Sequence, residues 1–239
     1  MSTLLLRLAG PLQSWGTQSR FSERDTGYEP SKSGVIGLLC AALGLERHKP
    51  VDRRLVALSM GVRVDREGAL LKDFHTAGGT HRRGDAYNVV RADGKPGGTV
   101  PSNRYYLADA SFLVGLESDD EALLRCLEEA LLRPHWQLFL GRKSCVPGEP
   151  VTLSYLPNRP RGLQDTPLEE ALRRYPWFRG AYAPWANHPS QLRLVLDTDS
   201  SDPRASDIRR DVPISFAERT FANRHVRTDW VDEFQIGED

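Results

Sequence analysis

Residues 31–45, SKSGVIGLLCAALGL, form a nearly all-apolar helical segment opened by Ser31 as an N-cap. Gly34, Gly37 and Gly44 lower its helix propensity but let another backbone come close. Strand signals flank it. Thr3–Leu8 (TLLLRL) reads as a buried strand ended by Gly10-Pro11, and Val62-Arg63-Val64 alternates as a second. Pro50 marks a break, and Asp52 caps a short helix over Arg53–Ser59. Arg66-Glu67-Gly68 is a turn signal, so Ala69–His75 is the expected hairpin partner of residues 62–64. Arg104–Glu117 (RYYLADASFLVGLE) reads as a strand. A helix from Asp119-Asp120 to about Leu132 carries leucines at three- and four-residue spacing and is stopped by Pro134. The order β-α-β…β-α-β within residues 1–155 is the ferredoxin-like (RRM-like) α+β pattern, an antiparallel sheet with two helices.

Between Thr76 and Asn103 the pattern dissolves into six glycines, two prolines and mixed charge. A loop of that length is uncommon unless it is functional or disordered. Residues 156–190 read as Pro-rich and irregular, with Tyr175, Trp177, Phe178, Tyr182 and Trp185 as aromatics whose exposure would call for a partner. Residues 191–197 alternate as a strand, Ser200–Asp211 is polar, and Ile214–Trp230 is strand-like. The division expected is a ferredoxin-like region over 1–155 and a small β-containing region over 156–239 packed on it.

The 239 residues carry 32 basic and 32 acidic side chains. Residues 1–111 hold 16 basic and 11 acidic groups, and residues 112–239 hold 16 and 21, so the halves balance at +5 and −5. A basic half suits phosphates and an acidic half suits protein or solvent, although the field is weak. Arginines number 27 against 5 lysines, a bias that GC-rich coding explains for the bulk count. Three scattered cysteines, Cys40, Cys126 and Cys145, argue against a disulfide framework and for a reducing cytoplasm. No apolar run approaches the ~18 residues of a membrane span, and no signal peptide is evident.

There is no phosphate-loop, dinucleotide-binding, HExxH or G-x-S-x-G motif, and none of the six histidines pairs with a cysteine at zinc spacing. Neither a metal nor a cofactor is expected. What remains is a set of basic loops with aromatic neighbours: Gln13, Ser14, Trp15 and Arg20; Ser31, Lys32 and Ser33 at a helix start; His75, His81, Arg82, Arg83, Arg91 and Lys95; Arg104, Tyr105 and Tyr106; Gly141, Arg142, Lys143 and Ser144; and Arg219, Phe221, Arg224 and His225. Phosphates want Arg, Lys and free helix N–H groups, while unstacked bases want planar faces. On a ferredoxin-like sheet this combination points to RNA. Each cluster alone reads equally as a solvated loop, Trp15 as core, and one of Tyr105 and Tyr106 as core. A metal-free ribonuclease is the alternative, with Tyr28, His75, His81 and Lys143 as the acid, base and cation it needs.

The segments LLLRLAGPLQSWG (4–16), SKSGVIGLLCAALGL (31–45), DFHTAGG (73–79), RYYLADASFLVGL (104–116), LGRKSC (140–145) and FAERTFANRHV (216–226) together resemble the CasD family of type I-E CRISPR Cascade subunits. That resemblance implies a repeat-associated (RAMP) superfamily fold with a β-hairpin thumb at about 74–103. It implies a non-catalytic role holding the 5′ handle of the crRNA in antiviral defence, contacts with a backbone CasC-type and a large CasA-type subunit, indirect involvement of target DNA, and no membrane. A processing endoribonuclease and a protein scaffold without RNA contact stay open as alternatives.

Overall fold

The computed structural model describes residues 1–17, 19, 22–78, 89–90, 98–154, 159–180 and 187–237. In chain order the strands are β1 (Ser2–Ala9), β2 (Leu12–Gln13), β3 (Glu23–Arg24), β4 (Ser59–Arg66), β5 (Ala69–Ala77), β6 (Val100–Ala108), β7 (Ser111–Ser118), β8 (Leu163–Gln164), β9 (Leu192–Thr198), β10 (Asp207–Ser215) and β11 (Thr220–Val231). The helices are α1 (Lys32–Leu43), α2 (Arg53–Ala57), α3 (Glu121–Leu132) and α4 (Leu168–Arg174).

The main sheet runs β10-β11-β9-β4-β7-β1-β8, with every pair antiparallel. Its β8-β1-β7-β4 part, with α1 following β1 and α3 following β7, is the ferredoxin-like (RRM-like) arrangement, and the fold class is α+β. The closing strand of this unit is β8, at Leu163–Gln164, so strands from both sides of residue 155 share one sheet.

Period-2 alternation sorts the strand side chains. Leu4, Leu6 and Leu8, Phe112, Val114 and Leu116, and Met60, Val62 and Val64 face the cluster holding α1 and α3. Helix α1 starts where Ser31 Oγ accepts the Gly34 N–H (3.2 Å) and ends at Gly44, whose φ of 72° suits the left-handed C-cap. Asp120 caps α3 by accepting from Leu123 N–H at 2.9 Å, and Leu123, Leu124, Leu127 and Leu131 form its buried stripe.

The opposite face is covered too. Leu5, Leu113, Leu194 and Leu196 pack against Leu168, Ala171 and Leu172 of α4 and against Tyr175, Trp177 and Phe178. These three aromatics are at most 5% exposed, which corrects the expectation that they await a partner; Tyr182 and Trp185 lie outside the described residues. Under this layer sit two fully buried arginines. Arg63 donates to Asp65 (2.7 Å) and to the carbonyls of Leu172 (2.8 Å), Tyr175 and Pro176 (3.3 Å), at the C-terminal end of α4. Arg7 donates to Glu149 (2.8 Å) and to the Phe178 carbonyl (3.1 Å). Buried charge survives only when paired and hydrogen-bonded in this way.

Four sequence expectations change. β5 does not pair with β4, both of whose edges are taken by β7 and β9. It pairs instead with β6, from Ala69↔Ala108 to Ala77↔Val100, as the base of a hairpin in a second sheet. The 104–117 run is two strands, split where Asp109 takes a φ of 60°. The polar stretch 200–211 already contains the start of β10, and the irregular stretch 156–190 contains β8 and α4. Polar edge strands and a short helix leave little periodicity to read.

Candidate nucleic-acid interface

The loop after β2 is tied to itself. Trp15 N–H donates to Thr26 Oγ1 (2.9 Å) and Gly27 N–H donates to the Trp15 carbonyl (2.7 Å). The Asp25 carboxylate accepts from Thr17 N–H (3.0 Å), Thr17 Oγ1 (2.5 Å) and Ser19 N–H (3.2 Å). Burial pushes the Asp25 carboxyl up, but these hydrogen bonds outweigh it and hold it below the usual range. Residues 15, 17 and 19 are thereby tied to residues 25–27.

Its floor is Trp15. The indole is 1% exposed, donates to Gln13 Oε1 (3.1 Å) and lies on α1 at Gly34, where a Cβ would come within 2.8 Å of the ring. Gln13, also buried, donates to the Leu8 and Ala110 carbonyls at 3.0 and 2.9 Å. Gln13 and Trp15 are thus structural; a ring so enclosed offers no face to a base.

The 141–144 loop crosses this one. Ser14 N–H donates to the Leu140 carbonyl (3.1 Å) and Ser14 Oγ to the Tyr105 carbonyl (3.0 Å). Gly141 has a φ of 87°, and a Cβ there would fall 1.8 Å from the Ser14 carbonyl oxygen, so only glycine fits. Arg142 donates to the carbonyls of Tyr105 (3.2 Å), Arg24 (2.6 Å) and Asp25 (3.2 Å), and its guanidinium lies 4.8 Å from the Tyr106 ring centroid. It fastens three segments together, while Lys143 and Ser144 beside it are exposed. Between Ser14–Gly16, Ser31, Ser33, Gly34, Gly141 and Arg142 lies an open space of about 220 Å³. Three of the sequence-selected clusters meet there, walled by hydroxyls, peptide groups and one cation.

The start of α1 is otherwise engaged, which corrects the idea of a free anion site there. Lys32 N–H donates to Asp211 (2.8 Å), and Lys32 Nζ pairs with Asp197 at 3.1 Å. Arg224 pairs with Asp211 (2.6 Å) and with Asp197. Lys32 and Arg224 are nearly buried within this network of two cations and two anions. Sequence reading missed it, because nothing local links residues 165 to 179 positions apart.

The remaining residues scatter. His75, half exposed on β5, has Asp73 Oδ2 at 3.6 Å. Arg104 Nε donates to Ser102 Oγ at 3.2 Å. Tyr106 is buried and Tyr105 half-buried, with Lys72 Nζ at 5.8 Å from the Tyr105 centroid. Arg219 stands exposed in the β10–β11 turn with a φ of 55°. Arg20, His81, Arg82, Arg83, Arg91 and Lys95 lie outside the described residues. Tyr28, His75 and Lys143 sit on three separate segments. Among the described residues no group of three or more His, Cys, Asp or Glu converges as a metal site.

A family model described as CRISPR-associated protein (Cas_Cas5) matches residues 3–227. The chain belongs to this family. Residues of this Cas5-family chain are 36% identical over 164 positions to the CRISPR system Cascade subunit CasD of Escherichia coli (strain K12), covering 64% of this chain and 70% of that one. A crystal structure of a Cas protein superposes with a TM-score of 0.70 at 43% identity, covering 96% of this chain and 95% of that one. A chain of a CRISPR RNA-guided surveillance complex superposes with a TM-score of 0.78 at 34% identity, covering 98% and 91%. Within this Cas5-family fold the face opposite α1 and α3, where an RRM-like sheet would offer its stacking surface, is closed by α4. No helix among the described residues is long and apolar enough to cross a membrane.

Proposed function

We propose that this Cas5-family chain is a non-catalytic crRNA-binding subunit of a type I-E Cascade complex, holding the 5′ handle of the crRNA and capping the backbone in antiviral defence. The observation that carries the reading is the convergence of residues 14–16, 31–34 and 141–142 on one open space, next to the exposed Lys143. Serine hydroxyls, peptide groups and a guanidinium are what phosphates and 2′-hydroxyls require. Residues 14, 15, 31 and 142 are held by hydrogen bonds beforehand, so little ordering cost falls on them at binding.

In this reading the β5–β6 hairpin is the thumb that meets a backbone CasC-type subunit and a large CasA-type subunit at the junction of handle and spacer. Target DNA is touched only indirectly. The region 1–155 is the RNA-binding part with the thumb, and 156–239 packs on it, in the cytoplasm. The test is incubation of the pure protein with labelled repeat RNA in EDTA, read by a denaturing gel and a filter assay. Handle binding without cleavage is expected. Specific cleavage that a His75/His81 double variant abolishes would make the chain a processing nuclease instead. Absence of both would leave a protein scaffold.

A further inference from the structure

We propose that a second cleft, contiguous with the first, takes one unstacked base of the bound RNA, with Tyr28 as its stacking face. This rests on the RNA-binding reading above and extends it. The cleft has a volume of about 290 Å³ and lies between the loop preceding α1 and the first residues of β10. It shares Trp15, Gly16 and Ser31 with the smaller space, so a strand whose phosphate sits in one can place its base in the other.

The two spaces differ in chemistry. The first is walled by hydroxyls, glycine backbone and a guanidinium. The second sets three carboxylates, Glu29, Asp207 and Asp211, against two guanidiniums, Arg209 and Arg210, so it holds no excess positive charge for a phosphate. What it does hold is an aromatic ring. Tyr28 is 62% exposed and, among the described residues, has no ring partner. An exposed phenol ring lining a cleft presents a flat apolar face on which a base can stack. A volume of about 290 Å³ leaves room for a nucleobase.

Its walls are set in advance. Glu29 is 6% exposed and accepts from Arg193 at 2.8 Å and from Arg209, tying the loop to β9 and β10. Burial pushes the Glu29 carboxyl up, but the two arginines outweigh it and keep it ionised. Tyr28, next in the chain, follows from that anchored backbone and lines the cleft. Aromatic platforms of this kind bind bases with little regard for sequence, so the cleft selects an unstacked nucleotide by its position in the handle.

The experiment uses the full chain and a set of handle oligoribonucleotides, each with one nucleotide made abasic. Wild type is expected to show one position at which loss of the base weakens binding on the order of tenfold. Tyr28→Ala should erase the penalty at that position and leave the salt dependence unchanged, while Tyr28→Phe keeps the penalty. Lys143→Ala should do the reverse, lowering the salt slope and preserving the penalty. A flat wild-type abasic profile, or a Tyr28→Ala profile identical to wild type, overturns the base cleft while RNA binding stands. Wild type that binds no handle RNA overturns both.

Discussion

Gly61 on β4 and Gly115 on β7 face each other across the sheet, and helix α4 sits on the gap they leave. A Cβ at Gly61 would come within 2.6 Å of Leu172 Cδ1 and 2.7 Å of Leu196 Cδ2, and one at Gly115 within 2.6 Å of Leu168 Cδ1. The obstructing atoms are the far ends of leucine side chains, so the helix can yield, at the cost of overpacking. Gly115→Ala should destabilise by roughly 1–3 kcal/mol, and Gly115→Ala combined with Leu168→Ala should do so by less than the two changes summed. Thermal unfolding of the single and double variants measures it; strict additivity would mean that α4 does not rest there.

The guanidinium of Arg63 replaces water for three carbonyls at the end of α4 and for Asp65. Arg63→Met keeps bulk and removes every donor. Uncompensated buried polar groups of this sort cost about 3–5 kcal/mol, and a chain of this length loses roughly 2–4 °C in Tm per kcal/mol. A Tm drop on the order of 10 °C is the expected result, and a drop of under about 2 °C would show the cluster to be dispensable.

Arg142 and Lys143 should separate cleanly. Arg142→Ala removes hydrogen bonds to Arg24, Asp25 and Tyr105, so it should lower both Tm and RNA affinity. Lys143→Ala touches an exposed side chain and should leave Tm alone while reducing the salt slope of binding by about 0.7. An unchanged slope would put Lys143 outside the interface.

Acid should loosen the β9–β11 end of the sheet. Burial pushes the Asp211 carboxyl up, but Arg224 and the Lys32 N–H outweigh it, and its pKa is lowered; Glu29 is lowered likewise. A carboxyl lowered on folding adds stability that is complete above its unfolded pKa of about 4 and is lost as pH falls through its lower folded value. Tm should therefore hold between about pH 7 and 5 and fall below about pH 4. Asp211→Asn should lower Tm at pH 7 and shrink the difference between pH 7 and pH 3; an undiminished difference would assign the acid sensitivity elsewhere.

The thiols should titrate unequally. Burial and the nearby Asp52 push the Cys40 thiol up to about 11, and burial raises Cys145, whereas Cys126 is exposed. A disulfide reagent near pH 8 should modify one thiol quickly, and Cys126→Ser should remove that phase.

Strong local periodicity made the ferredoxin-like unit legible: the alternating β1, the capped apolar α1 and the leucine stripe of α3 each declare themselves within about a dozen residues. The hairpin partner of β5 is not legible in the sequence, because a strand exposed along nearly its whole length carries no alternation to match. Gly61 and Gly115 carried a usable signal, since a glycine inside a strand marks the close approach of another element. The sequence marks the loops that converge on the open space, but not what each of their residues contacts. Lys32 and Arg224 have the residue types of a phosphate contact but pair with Asp197 and Asp211, the Trp15 ring is enclosed against Gly34, and Arg142 spends hydrogen bonds on the carbonyls of Arg24, Asp25 and Tyr105 while still lining the open space. Whether an arginine faces solvent or three carbonyls is decided by tertiary geometry that spacing does not encode.

The Lys32–Asp197–Arg224–Asp211 network bears on synthesis as well as on shape. Ser31 and Lys32 emerge from the ribosome long before Asp197, Asp211 and Arg224, and the helix start gains its final carboxylate cap only when that late strand pair docks. A chain still being translated thus holds an unfinished groove. A fragment lacking β9 to β11 would keep Ser31 as the cap of α1 but leave the Lys32 backbone and side chain without their carboxylate partners.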